Sequence, residues 1–518
     1  MKILYNYVNG EFINGGMTLD ELYKKPGGML SKRDPSTDDW ICTFPQTTEK
    51  DVHSAYKIAR GAFRGWKGRS RIYRAEFFYK IAQIIERRRD EIARVISFET
   101  GKNYNESIAE VNEALHMVQY AFGSGRTSVG EAVASELAEK DAYMIRKPKG
   151  VIAIISPFNF PLAIGSFWCA APALVEGNTV VIKPSEDAPW TTHLAAEIYH
   201  EAGVPPGVFN VIHGDGRTGA SLSRADVDHI CFTGSAEVGQ IIRKVAAESW
   251  HKTTSCELGS KSAVIVFEDA NFDLAVSAAV ASAFKLSGQR CVSSGRIIVQ
   301  RSIFDKFAKR FVEAAQYCKP GPPFVTKYHT TGGTPDCVTW ETQEPNPDAY
   351  YGPIVTKAGL DKVVFYNNLV FSNPSATVLM RGELLPIAGN FITPTVYTTE
   401  WNDEPYLKNE VFGPHVAIIP FDDIHDAVRI YNDTDYGLAL GVCTEDFKKA
   451  RYCRDNCDFG MCYWNGGSIA AESHLAFGGV KKSGNGFPSA ARTFRAVTHE
   501  VSWTVNHGES ISFPQGMK

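Results

Sequence analysis

From residue 150 onward, short uninterrupted apolar runs alternate with segments of helical period. VIAII (151–155) and TVVIK (179–183) read as strands buried on both faces. TTHLAAEIYHEAG reads as a helix ended by Gly203, VFNVIH as a strand followed by a short helix, HICF (229–232) as a strand, and the stretch from Ala236 to about Ala247 as a helix. Such alternation predicts a parallel sheet covered on both faces. Sheets of this kind bind ligands beyond the carboxyl ends of their strands. SAVIVF, the helix FDLAVSAAVASAF, RIIVQ and a helix from Ile303 to Tyr317 start a second α/β unit. A cleft between two units is therefore expected.

Residues 48–122 are strongly helical, and RAEFFYKIAQIIERRRDEIARVISFETG reads as one amphipathic segment whose charges form a solvated face. Residues 319–352, rich in Pro, Gly and Thr, carry neither period and read as a long surface loop or flap. The tail from Thr498 to Val505 alternates like an edge strand suited to pairing with another subunit.

A chain of 518 residues is too long for one core, so two or three substructures are expected. Its 54 basic and 58 acidic residues leave a formal charge of −4, which offers neither a basic surface for nucleic acid nor a polybasic run for anionic lipid. A small-molecule substrate is the default. Val151 to Val175 contains no charged residue over 25 positions, yet Pro157, Asn159, Pro161 and Pro172 break it, which suits a strand, a turn and a buried helix better than a membrane span. MKILYNYVNGEFINGG lacks the apolar run of a signal peptide. Eleven thinly spread cysteines suit reduced thiols in a cytoplasmic chain.

The segment GDGRTG (214–219) matches G-x-G-x-x-G, but it follows the third strand of its unit rather than the first, and Asp228 precedes the next strand; it reads as a plain turn. Better cofactor candidates lie at neighbouring strand ends. In KPSE, the Lys183 ammonium and Glu186 carboxylate can meet a sugar diol, and that carboxylate repels a 2′-phosphate, favouring NAD over NADP. FTGSAEVG (232–239) ends a strand and opens a helix at Gly234 and Ser235, which suits a pyrophosphate. Cys453, Cys457 and Cys462, with His474 beyond, lack both C-x-x-C and H-x-x-x-H spacing, so no metal site is expected. Cys291, in SGQRCVSSGR, is flanked by Arg290, Ser293 and Ser294, a setting suited to a thiolate.

CELGSKSAVIVFEDAN places Glu257 upstream of this thiol, PFNFP places Asn159 just after a strand, and NEVFGP supplies Glu410 and Phe412. With FNFP, KPSE, FTGS, ELG, GQRC and EVFGP in this order, the chain resembles the NAD(P)-dependent aldehyde dehydrogenase superfamily from VNGEFING to FGGVKKSGNG. The resemblance implies an α/β fold with a Rossmann-type parallel-sheet cofactor domain (1–134 and 148–258), an α/β catalytic domain (259–483) and a small β oligomerisation extension (135–147 and 484–518) of a homodimer or homotetramer. It makes Cys291 the nucleophile that attacks an aldehyde, with the Asn159 amide and the Cys291 N–H stabilising the alkoxide and Glu257 activating the water that hydrolyses the thioester. A glutamate base favours release of a free acid over transfer to coenzyme A.

On the cofactor side the resemblance implies that Lys183, Ser185 and Glu186 meet the adenosine ribose. Gly216 lies at the adenine end, Gly234 and Ser235 in the phosphate region, Glu410 and Phe412 around the nicotinamide ribose, and Phe158, Phe232, Val238 and Leu258 are further cofactor contacts. NAD is the expected cofactor, with NADP possible. Two positions depart from the usual pattern: Ser260 in ELGS and Phe158 in PFNFP. NGGSIAAESHLAF (465–477) resembles the loop that anchors the carboxylate of amino-acid semialdehydes such as those of glutamate and aminoadipate, which implies substrate contacts at Gly466, Gly467, Ser468, Ser293 and Phe477. Ile164 and Phe167 would instead suit a plain aliphatic or aromatic aldehyde. A non-redox thiol esterase is the competing class.

Overall fold

The computed structural model describes residues 1–13, 28–330, 339–487 and 489–510. The first α/β unit contributes β1 (Val151–Ile155), β2 (Thr179–Lys183), β3 (Phe209–Val211), β4 (His229–Thr233) and β5 (Thr253–Glu257), all parallel, in spatial order 5-4-1-2-3. Asn6–Val8 and Glu11–Ile13 extend this sheet beyond β3, and Gly484–Asn485 pairs antiparallel with β5. The chain runs outward through β1, β2 and β3, then returns to lay β4 beside β1. That reversal creates a crevice at the carboxyl ends of β1 and β4.

The second unit contributes β6 (Ala263–Val266), β7 (Arg296–Gln300), β8 (Thr395–Thr398), β9 (His415–Phe421), β10 (Ala439–Cys443) and β11 (Met461–Trp464), parallel in order 8-9-7-6-10-11. Thr377–Met380 adds an antiparallel edge. Every residue of β1, β2, β6 and β9 is buried, because helices cover both faces of a parallel sheet. Of those helices, α1 (Tyr104–Ser124), α2 (Pro189–Glu201), α3 (Gly216–Arg224), α4 (Ala236–Ala247) and α5 (Phe272–Phe284) bear on the site.

The 25 uncharged residues resolve into β1, a turn through Asn159, a π-helical turn Ile164–Cys169 and a short helix Ala170–Val175. No helix among the described residues is long and apolar enough to cross a membrane. The amphipathic segment is helical as expected and divides into Arg71–Arg87 and Arg89–Thr100 at Arg88, whose guanidinium joins Glu91 and, at 2.6 Å, Glu197 on α2. The segment expected as a loop contains a hairpin, Phe324–Thr330 paired with Thr339–Pro345; its tip, 331–338, lies outside the described residues. The tail strand Thr498–Asn506 pairs with Lys140–Pro148, which also pairs with Gly130–Val133.

Candidate active site

Between α5 and β7 the chain makes a tight turn in which Leu286 (φ 54°), Ser287 (φ 54°) and Gly288 (φ 69°) are left-handed. A Cβ on Gly288 would collide with the Gly413 carbonyl oxygen. Two non-glycine residues in this region cost on the order of 1–2 kcal/mol each, so neighbours must hold the turn. The Leu286 N–H donates to Glu106 Oε1 at 2.7 Å, Ser287 Oγ to the Gly352 carbonyl at 2.6 Å, and the Val355 N–H to Gln289 Oε1 at 3.2 Å. Further along, Ser260 Oγ donates to the Cys291 carbonyl and Ser468 Oγ to that of Val292. Cys291 is thus a partly exposed thiol on a pinned loop.

Asn159 follows β1. Its Nδ2 donates one hydrogen to the Gln289 carbonyl at 2.9 Å, which joins the amide to the nucleophile loop and leaves the second N–H free; Oδ1 is buried without a partner. The next turn is held from α1. Glu110 Oε1 accepts the N–H groups of Leu162 at 2.8 Å and Ala163 at 3.2 Å, while Oε2 pairs with Lys102, and both side chains are almost fully buried.

Glu257 ends β5 at 2% exposure, and neither carboxyl oxygen has a partner. A Cβ on Gly478 would lie 2.8 Å from its Oε1, so only glycine leaves that oxygen room. Burial pushes the Glu257 carboxyl well above the ordinary range. The Cys291 thiol is raised too, first by burial and then by Glu257 and Glu410, against the pull of the Cys291 and Val292 N–H groups. Both groups are held toward their protonated forms, so each must lose a proton before it acts.

The other candidates fall at the carboxyl ends of β2 to β5. Lys183 Nζ lies 3.0 Å from Glu186 Oε2, and the Lys183 stem runs 3.8 Å from where a Gly219 Cβ would sit on α3. Ser185 and Glu186 are half-buried, and Ser185 Oγ accepts the Asp187 N–H. Ser235 caps α4 by accepting from the Val238 N–H at 3.3 Å, and Val238 is exposed. Phe232 lies under Gly234, where a Cβ would meet its ring at 2.5 Å. Leu258 packs under Gly239. From the second unit, Glu410 Oε1 accepts the Ser260 N–H at 2.8 Å, and Phe412 (φ 63°) meets the Phe158 ring edge-on at 6.1 Å. By contrast Gly216 opens α3 behind Asp215, whose carboxylate already accepts from the Arg217 N–H and pairs with its guanidinium. The G-x-G-x-x-G turn is thus self-capped.

On the substrate side, Ile164 and Phe477 line the region beside the π-helical turn, Phe477 against Trp168 at 5.4 Å. Two expectations fail. Phe167 is fully buried, stacked on Tyr199 at 5.7 Å, because the π-helical turn points Trp168 rather than Phe167 toward Phe477. Ser468 is fully buried as well: its hydroxyl serves Val292 and Ser294 and its N–H donates to Ser282 Oγ, so its donors are already engaged. Gly467 packs against α5, where a Cβ would collide with Ser282 Oγ, and Gly466 backs onto Gly441. Ser293 Oγ accepts the Arg290 N–H at 3.3 Å. The positioning roles of Lys102, Glu106, Glu110 and Gln289 escaped the sequence reading; Glu106 and Glu110, buried on α1, look in sequence like solvated charges. Among the described residues no group of three or more His, Cys, Asp or Glu is placed to hold a metal ion.

The model of the Aldehyde dehydrogenase family matches residues 23–502. An aldehyde dehydrogenase of Emericella nidulans is 35% identical over 483 residues, covering 93% of this chain and 90% of that protein. A 2-aminomuconic semialdehyde dehydrogenase of Bos taurus is 32% identical over 518 residues, covering 98% and 99%. Among solved structures, betaine aldehyde dehydrogenase from Staphylococcus aureus in complex with NAD+ matches with a TM-score of 0.86 at 28% identity, covering 98% of this chain and 96% of that one. A mutant of aldehyde dehydrogenase from Bacillus cereus matches at 0.87 and 29%, covering 98% and 97%.

Proposed function

This chain belongs to the aldehyde dehydrogenase family, and we propose that it oxidises an aldehyde to the free acid with NAD, through covalent chemistry on Cys291. The observation that carries this reading is the hydrogen bond from Asn159 Nδ2 to the Gln289 carbonyl, which ties the amide to the thiol loop and leaves its second hydrogen unused. The Cys291 thiol gives up its proton to solvent as sulfur attacks the carbonyl carbon, while Glu257, with both oxygens unpartnered, is kept for the hydrolytic water. Asn159 Nδ2 and the Cys291 N–H then receive the developing alkoxide. Lys183, Glu186, Ser235 and Glu410 would hold NAD at the strand ends, where it would supply an acceptor for the hydride that leaves this carbon. Glu257 next takes a proton from water, whose oxygen displaces sulfur from the thioester and returns the thiol.

The cofactor reading is supported by the Lys183–Glu186 pair, by the capped α4 N-terminus at Ser235 and by Glu410 with Phe412 across the cleft. A ribose diol fits that first pair and a 2′-phosphate does not, so NAD is preferred. The substrate is a carboxylate-bearing semialdehyde, in keeping with the Bos taurus relative's name. We divide the chain into a cofactor domain (1–134 and 148–258), a catalytic domain (259–483) and an oligomerisation extension (135–147 and 484–518), the last supported by the open edge of Thr498–Asn506 in a homodimer or homotetramer. Ten free cysteines among the described residues suit the cytoplasm.

Incubating a Glu257→Gln variant with NAD and an aldehyde should trap an acyl group on the peptide containing Cys291, found by mass spectrometry. Ester turnover without cofactor and without reduced nicotinamide would favour the thiol esterase instead.

A further inference from the structure

We propose that Ser260 is a positioning residue for the nucleophile: its hydroxyl ends a one-way hydrogen-bond chain on the Cys291 carbonyl and so fixes and polarises the Cys291–Val292 peptide, whose N–H faces the sulfur. The proposal deepens the aldehyde-oxidation reading and rests on it. Ser260 is one of the two departures from the usual pattern, so the hydroxyl is this chain's own. Its surroundings fix which way each hydrogen points. A carbonyl only accepts, so the single hydroxyl hydrogen of Ser260 goes to the Cys291 carbonyl. Ser260 Oγ also lies 3.0 Å from Ser262 Oγ, and in that contact Ser262 is left as the donor. Ser262 Oγ in turn accepts the Ala439 N–H from β10 at 3.3 Å. Every hydrogen of the chain therefore points from the strand toward the nucleophile, and hydrogen bonds linked in this way strengthen one another.

The segment that carries Ser260 is held from both sides. Ser260 and Ser262 are buried, Lys261 between them donates from Nζ to the carbonyls of Tyr406 and Asn409 at 2.7 Å each, and Arg296 Nε donates to the Lys261 carbonyl at 3.1 Å. The Ser260 backbone has a different task, since its N–H serves Glu410 Oε1 on the cofactor side. Side chain and main chain thus address thiol and cofactor separately, and substitution can part them. Peptide resonance links the Cys291 carbonyl to the Val292 N–H, so a donor on that oxygen makes the N–H a stronger donor in turn. The Val292 and Cys291 N–H groups are the backbone donors that favour the thiolate, against burial and the carboxyls of Glu257 and Glu410. Titratable groups face the sulfur from β5 (Glu257), from the turn before β9 (Glu410) and from β11 (Tyr463), with Arg290 adjoining it in the chain. Among the described residues, the hydroxyl of Ser260 bonds to none of these four.

The test follows alkylation of Cys291 by iodoacetamide against pH in the full-length protein, read on the peptide that contains it by mass spectrometry. Ser260→Ala should raise the midpoint by roughly 0.5–1 pH unit and lower kcat/KM for propanal at saturating NAD by roughly 3- to 10-fold near neutrality. Calorimetric affinity for NAD should stay within about twofold, because the main-chain bond to Glu410 survives. Ser260→Thr, which keeps the hydroxyl, should hold the wild-type midpoint, and Ser262→Ala should raise it by a smaller amount. If Ser260→Ala does not fold, Ser262→Ala decides alone. An unchanged midpoint, an equal rise in Ser260→Ala and Ser260→Thr, or a loss of NAD affinity as large as the loss of kcat/KM overturns the proposal. A raised midpoint in a protein that oxidises no aldehyde keeps the role of Ser260 and removes the oxidation reading; an unchanged midpoint in an active enzyme does the reverse.

Discussion

Glu106 and Glu110 stand one turn apart on α1 and carry the two halves of the active site between them. Glu106 accepts the Leu286 N–H that starts the thiol loop, at 2.7 Å, and Glu110 accepts the Leu162 N–H that ends the Asn159 turn, at 2.8 Å. One rigid helix thereby sets the spacing of nucleophile and amide.

Glu110→Gln keeps an oxygen for Leu162 and Ala163 but strands the Lys102 ammonium at 1% exposure. Breaking such a pair costs about 3–5 kcal/mol, whereas replacing both charges together is often nearly neutral. Urea unfolding should show Glu110→Gln strongly destabilised and Lys102→Met/Glu110→Gln largely restored. A double variant no more stable than the single one would show that the ion pair is not what matters there.

Turnover should climb with pH through neutrality, because burial holds both the Glu257 carboxyl and the Cys291 thiol above their ordinary values and each must release a proton to act. Glu257→Gln should lower steady-state kcat by roughly 10²–10⁴-fold while sparing a first burst of reduced cofactor. Rapid-mixing absorbance reads both, and loss of the burst along with the steady state would remove Glu257 from deacylation.

Glu99, fully buried, accepts the Thr191 N–H at 2.7 Å and the Thr191 hydroxyl at 2.6 Å at the start of α2, yet burial raises its carboxyl from 4.5 to about 7. Unfolded, the group loses its proton at the lower pH, so across that window the folded chain binds more protons and stability falls as pH rises. The stability of wild type relative to Glu99→Gln should therefore decline between about pH 5 and 8. A difference flat with pH would contradict the raised value.

Phe412 sits at φ 63° between the Glu410 carboxylate and the Phe158 ring. Glycine adopts that conformation without penalty, so Phe412→Gly should be more stable than Phe412→Ala by about 1 kcal/mol. Equal melting temperatures would mean the backbone relaxes on truncation.

The strands and helices of the first unit were legible because each is sealed in a core and carries one clear period. VIAII and TVVIK fall at their expected limits, and Ala236–Ala247 matches end to end. Legibility failed where the partner lies far along the chain. The break at Arg88 depends on Glu197, the strands Phe324–Thr330 and Thr339–Pro345 pair although their sequence carries no clear period, and Phe167 and Trp168 take different directions through a π-helical turn that adjacent residues do not announce.

Residue type, together with the resemblance carried by the order of short motifs, put the chemistry on offer: a thiol, an amide and a carboxyl after strand ends, and a lysine–glutamate pair suited to a sugar. These depend on local period and on the order of short motifs. Only the tertiary structure decided which donors remain free. Ser468 proves to be engaged, Asn159 keeps one hydrogen, and Glu257 keeps both oxygens. Hydrogen-bond satisfaction is settled by contacts between segments distant in sequence, so no local reading reaches it.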